Sequence, residues 1–270
     1  MTTFSSIRRW VGRHLILGLG LLVLVYTFVP IAVVVLMSFN DNSRSRNVYA
    51  FQEFTWDNWL HPFAPDQMGG AVLLSIQIAL LATLVSVILG TLAAFALVRH
   101  RFVGRSAANV IIFLPMASPE IVMGSSLLAL FVSTGFGGRL GFATLFIAHV
   151  MFCLSFVIIT VKARLQGLDD NLEQAAMDLY ATENQAFWRV TFPLVLPGII
   201  AAALLSFSLS FDDFIISNLN AGQELTFPMF VWGAAQRGVP MQVNVIGTAM
   251  FIIAISIVLA GELGRRRRET

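Results

Sequence analysis

Carboxylates set in apolar surroundings are the residues of this sequence best suited to chemistry. SFSLSFDDFIIS, from Ser206 to Ser217, places Ser206, Ser210, Asp213 and Ser217 at intervals of four, three and four residues, one stripe on a helix face. Ser208 and Asp212 form a second row beside it. Glu120 stands in LPMASPEIVMG next to Pro115 and Pro119. An ionised carboxylate in mid-bilayer costs about 3 kcal/mol, so it faces a cavity or a partner. No basic residues match these acids in the apolar stretches, and a path lined by such acids favours cations. Adjacent aspartates point about 100° apart on a helix, so Asp212 and Asp213 alone do not converge as an acid–base dyad. His149, alone in its apolar run, reads as an interhelical hydrogen-bond partner. G-x-x-x-x-G-K-[ST], H-E-x-x-H and G-x-S-x-G are absent, and no Cys/His cluster has metal-ligand spacing.

The elements that must hold these acids are membrane spans. Of 270 residues, 57% are hydrophobic and 12% charged, with a mean hydropathy of +0.80, which excludes a soluble domain with a large core. A crossing takes about 20 residues. Six runs reach that length, near 15–38, 71–98, 108–132, 141–162, 194–217 and 244–263. Both termini are expected on the cytoplasmic side, because 13 of the 17 basic residues then lie inside. The net charge of +2 therefore reflects topology rather than nucleic-acid binding, and Arg265–Arg268 suit anionic headgroups. The first run is too long for a signal-peptide core and is expected to stay as a span. A single cysteine, Cys153, excludes an intrachain disulfide.

One segment between two spans is polar. DNLEQAAMDLYATENQAFWRVTFPLVLP, from Asp170 to Pro197, reads as two short helices. Asp170 and Glu173 form a capping box for the first, in which Leu172, Ala175, Ala176 and Leu179 share a face. Thr182 and Gln185 repeat the box, and Pro193 is expected to stop the second helix. A capped amphipathic hairpin at the membrane border suits docking rather than catalysis. The loop 40–69 carries Tyr49, Phe51, Phe54, Trp56, Trp59 and Phe63, which read either as an interfacial belt or as a surface for an external partner. Arg99–Arg105 reads as a topology determinant only. Gly222, Pro228, Gly238 and Pro240 suggest an irregular last external loop.

The polar hairpin resembles the EAA loop of ABC-importer permeases. Ala175 and Ala176 match its alanines, and Val190, Phe192 and Pro193 fit its end at the family's spacing. Gln174 stands where the family has Glu, with Glu173 one residue earlier. Tyr180 replaces the family Gly, so the tight turn must be made differently. SFN at 38–40, SPEIVMG at 118–124, HVMFC at 149–153 and SLSFDD at 208–213 extend the likeness to spermidine/putrescine permeases of the PotC/PotI type.

That resemblance implies an all-α membrane protein with six transmembrane helices and the type I ABC importer permease (MetI-like) fold. Residues 1–14 would be a cytoplasmic segment, 15–263 the permease domain with its coupling loop at about 164–193, and 264–270 a basic cytoplasmic tail. It implies a substrate path of Asp212, Asp213, Glu120, Ser210, Ser206 and Trp59. Glu173, Gln174, Ala175, Ala176, Asp178, Tyr180 and Pro193 would couple to an ATPase. This chain would then be no enzyme and hold no cofactor, with ATP and Mg2+ on the partner. The implied partners are a PotB-type second permease, an ATP-binding subunit dimer, an extracytoplasmic binding protein and the bilayer of a bacterial cytoplasmic membrane. Related permeases carry iron, thiamine or phosphonate on the same scaffold, which leaves the solute open. A proton-coupled secondary transporter would ordinarily show an internal repeat, and none is visible.

Overall fold

The computed structural model describes residues 2–42, 50–135, 139–169 and 171–269, with side chains described within 14–261. The chain packs as two units, Met1–Asp66 with Gly233–Thr270, and Gln67–Trp232.

In the first unit, α1 (Thr2–Met37) packs against α12 (Met241–Glu269). Its apolar length His14–Met37 has a mean hydropathy of 2.7 and is left uncovered, so it faces lipid or another chain. After α1 the SFN motif folds the aromatic loop around itself. Asn40 is fully buried. It donates from Nδ2 to the Ala50 carbonyl at 3.1 Å and accepts from the Gln52 amide at 2.7 Å. Asn58, in the short helix α2 (Asp57–Leu60), donates to the carbonyls of Ser38 and Asn40. Strands β1 (Asn40–Asp41) and β2 (Glu53–Phe54) pair antiparallel, Asn40 opposite Phe54. Phe39 stacks on Phe54 and Trp59 and meets Trp56 edge-on. The aromatics at 54–59 thus form a folded cluster around Phe39, while Tyr49 lies outside the described residues.

The second unit is built on α3 (Met68–Arg99), α6 (Phe142–Gln166) and α9 (Phe192–Asp212). Small residues bring these helices close, as packing without a hydrophobic drive between spans requires. At Gly90 an added Cβ would lie 2.7 Å from Val157 Cγ1, and at Gly198 2.6 Å from Arg164 Cγ. Ala94, Leu97, Val157, Val161, Val195 and Ala202 fill the common core. Among the described residues, five helices are long and apolar enough to cross a membrane.

The expected third span differs. It is two helices, α4 (Arg105–Ala117) and α5 (Glu120–Ser133), bent by 107°. Pro119 lacks an N–H and disfavours the helical region for the residue before it. Ser118 accordingly sits at φ −81°, ψ 138°. Glu120, expected near mid-span, therefore begins a half-helix.

The fifth span is also displaced. Helix α8 (Glu183–Ala186) runs through a π-helical segment, Phe187–Thr191, straight into α9. Pro193 therefore does not stop the second short helix. The wide turn just before it absorbs the ring and the missing donor, as π-bulges do within helices. At the other end α9 stops at Asp212, and Ser217 belongs to α10 (Ile215–Asn220). The expected irregular loop after it contains a nine-residue helix, α11 (Phe227–Ala235). Gly222 sits at φ +62°, where a Cβ would lie 2.4 Å from the Leu140 carbonyl oxygen, so no side chain fits there.

Candidate functional site

The polar stripe predicted on one helix is divided between α9 and α10, and His149 of α6 joins the two parts. Asp213 leaves the helix at φ −67°, ψ 123°, and its carboxylate takes over backbone donors of the next turn. Oδ1 accepts from the Ile216 amide at 3.3 Å, and Oδ2 from the Ser217 amide at 2.8 Å. The Ser217 hydroxyl donates to the same Oδ2 at 3.1 Å. With that proton committed, Ser217 Oγ accepts from His149 Nε2 at 3.0 Å. A neutral imidazole protonated at Nε2 must accept at Nδ1, where the Ser210 hydroxyl lies at 2.7 Å. The bonds thus run in one direction, Ser210 to His149 to Ser217 to Asp213, joining α6, α9 and α10. His149 is 1% exposed and Asp213 7%. Every member is satisfied, the condition under which a buried polar network fixes one arrangement.

Gly124 of α5 closes the same region against α10. A Cβ on Gly124 would lie 2.8 Å from Leu219 Cδ1, and Asn220 Nδ2 donates to the Gly124 carbonyl at 3.2 Å. Residues of SPEIVMG, HVMFC and SLSFDD therefore converge around α10.

Of the anticipated path residues, Ser206, Ser210 and Asp213 are buried. Ser206 Oγ accepts from Thr83 Oγ1 at 3.4 Å. Asp212 and Glu120 are both exposed. By turning inward to cap α10, Asp213 leaves its neighbour Asp212 outside. Trp59 belongs to the other unit, where its indole N–H donates to Ser38 Oγ at 3.1 Å. Among the described residues no three His, Cys, Asp or Glu side chains gather to hold a metal.

The second candidate surface is α7 (Asn171–Asp178) with the turn that follows. Asp170 lies outside the described residues, and Asp169 Oδ1 accepts from the Asn171 amide at 2.9 Å. Glu173 turns inward. Its Oε1 accepts from Arg99 Nη2 at 2.9 Å and from the Thr191 hydroxyl. Arg99, read from sequence as a topology signal alone, is thus a structural partner 74 residues away. Thr191 was likewise missed, and no local pattern marks either. Gln174, Ala175 and Asp178 are exposed and Ala176 is half-buried. The Thr182–Gln185 box forms in both directions, at 3.1 and 3.3 Å.

Tyr180 makes the turn in the glycine's own conformation, at φ +64°. The Ala181 amide reaches the Ala176 carbonyl and the Tyr180 amide the Met177 carbonyl, a Schellman cap whose left-handed residue is usually Gly. Tyr180 is 97% exposed and Leu179 81%, so neither is held by packing. Left-handed backbone costs a non-glycine residue about 1–2 kcal/mol. Tyr180→Gly should recover about 1 kcal/mol once glycine's greater chain entropy is offset. Hydrogen exchange of the α7 amides is expected to slow about 5-fold, and unchanged or faster exchange would show that the turn stores no such strain.

Residues 86–264 match the family described as binding-protein-dependent transport system inner membrane component. The spermidine/putrescine transport system permease protein PotC of Haemophilus influenzae is 36% identical over 219 residues, 81% of this chain and 84% of that protein. The putrescine transport system permease protein PotI of Escherichia coli is 39% identical over 199 residues, 72% and 70% of the two chains. Among solved structures, a bacterial ABC transporter that imports the acidic polysaccharide alginate aligns with a TM-score of 0.63 at 16% identity, over 97% of this chain and 98% of that one. An amino acid ABC transporter aligns at 0.56 and 14% identity, over 81% and 100%. The broken span, the helical hairpin before α9 and the matched region all fall within one fold, the six-helix ABC importer permease of the MetI type. This chain belongs to the binding-protein-dependent transport system inner membrane component family.

Proposed function

We propose that this chain is the permease subunit of an ATP-driven importer of polyamines, forming half of the path and lying in a bacterial cytoplasmic membrane with both termini cytoplasmic. The observation that carries the reading is that two acids stay exposed in an apolar unit, Asp212 at the end of α9 and Glu120 at the start of α5. Paired carboxylates can replace the hydration that an ammonium group loses, through charge-assisted hydrogen bonds. The spermidine and putrescine named for the relatives are cations that would suit such a pair. In this reading Asp213 and His149 hold the turn that presents Asp212. A PotB-type permease would complete the path, and an extracytoplasmic binding protein would deliver the solute. ATP and Mg2+ would act on an ATP-binding subunit dimer docked on the outward face of α7, around Gln174, Ala175, Asp178 and Tyr180.

The test is reconstitution of this chain with its second permease, ATPase and binding protein in proteoliposomes. ATP-dependent, saturable uptake of radiolabelled spermidine or putrescine is expected. Accumulation of thiamine, iron or phosphonate without uptake of either polyamine would overturn the substrate. Ala176→Trp should cost the complex its ATPase by overpacking the docking face. Full docking and transport in that variant would remove α7 from the coupling role.

A further inference from the structure

One carboxylate joins three elements on the side of α7 that faces its own chain. Arg99 is the last residue of α3, Glu173 lies in the first turn of α7, and Thr191 ends the π-helical segment that opens into α9. Glu173 Oε1 accepts from both of the others, and both side chains of the ion pair are about three-quarters covered, at 26% and 29% exposure. A charge-assisted bond so covered is screened less than a surface pair. Gln174, at the position where the related permeases carry their acidic residue, points outward instead. Glu173 is therefore withdrawn from the docking face.

A second observation meets the first. Phe187 opens the π segment and packs on Phe95 of α3 at 5.4 Å, and Trp188 packs on Phe187 and Phe192. Beside these links lies a cavity of about 670 Å³, bordered by Leu92, Phe95, Glu173, Met177 and Phe187. Between α3 and the hairpin, then, contact runs through a few discrete links flanked by open space. A π turn also holds one residue more than an α turn, and such segments recur at functional sites. Moving the surplus residue along the helix would rotate the turns on either side of it.

We propose that Glu173 is a positioning residue of the transport cycle. Through Arg99 and Thr191 it passes a displacement of α7 to the end of α3 and the start of α9 together. This rests on the reading of α7 as the ATPase-facing helix.

The experiment uses the complete importer in proteoliposomes and measures solute moved per ATP hydrolysed. Glu173→Ala should keep the ATPase in the purified complex while that ratio falls about 10-fold. Glu173→Gln, which keeps an acceptor without the charge, should recover part of the loss. The exchanged pair Arg99→Glu with Glu173→Arg should restore at least half of the wild-type ratio, which a merely space-filling role would not do. A wild-type ratio in Glu173→Ala, or no rescue by the exchanged pair, overturns the strut. Loss of the ATPase from Glu173→Ala also overturns it, by making Glu173 a docking residue. Ala176→Trp separates the two levels, since full transport in that variant refutes the ATPase-facing reading itself.

Discussion

Asp212→Asn combined with Glu120→Gln is expected to lower polyamine uptake at least 100-fold while leaving assembly intact. Both replacements keep shape and hydrogen bonding and remove only charge. A hydrogen bond to a charged group contributes about 1.5–3 kcal/mol, so each loss corresponds to roughly a 10-fold to 100-fold effect. Both side chains are exposed, so neither change strands a buried donor or acceptor. Single variants should show intermediate losses, larger for spermidine than for putrescine, because the longer cation carries more ammonium groups to satisfy. Wild-type uptake in the double variant would remove the cation path. Failure to assemble with the second permease would instead make these acids interface residues.

Asp213→Ala should act on stability rather than on substrate. It strands the Ile216 and Ser217 amides and frees the end of the hydrogen-bond chain that begins at Ser210. A buried donor left without a partner costs about 1–3 kcal/mol, although individual polar contacts within membranes average nearer 0.6 kcal/mol. Two backbone donors and one hydroxyl together put the expected loss at about 2–4 kcal/mol, measured by denaturant titration in detergent micelles. His149→Leu should lose a similar amount, and His149→Gln less, since an amide can both donate and accept. Asp213→Ala with wild-type stability and a raised KM for polyamine would place Asp213 in the path after all.

How far the sequence carried the reading depends on the range of the interaction. Long apolar runs announced the helices, because hydropathy is a sum over neighbours, and the Thr182–Gln185 box was legible because its partners are three residues apart. Pro119 marked a weak point in the third span, but only packing decides that the bend reaches 107°. Ser217 was assigned to the wrong helix for a physical reason. The four-residue spacing from Asp213 serves equally for a helical stripe and for a carboxylate capping the following turn. Pro193 was misread because the rule that proline stops a helix assumes α geometry before it, and a π turn precedes it here. His149 was legible as an interhelical hydrogen-bond partner, but not that Ser217, 68 positions away, would be its partner, and Arg99–Glu173, 74 positions apart, was not legible at all.

If Glu120 and Asp212 line a cation path, the break before Glu120 would also set how long a cation stays. Glu120 is the first residue of α5, a half-helix of 14 residues, so its carboxylate sits at the helix start, where the backbone dipoles amount to about half a positive charge. Part of its charge is spent on its own backbone. The other exposed acid, Asp212, ends α9, where the backbone contributes the opposite sign. The two carboxylates are therefore unequal, the one at the helix start compensated by its own backbone and the one at the helix end not. A dication would then meet a steeper well at Asp212 and a shallower one at Glu120. Such a gradient would let a carrier capture its cargo without trapping it, and dwell time is what the broken helix would tune.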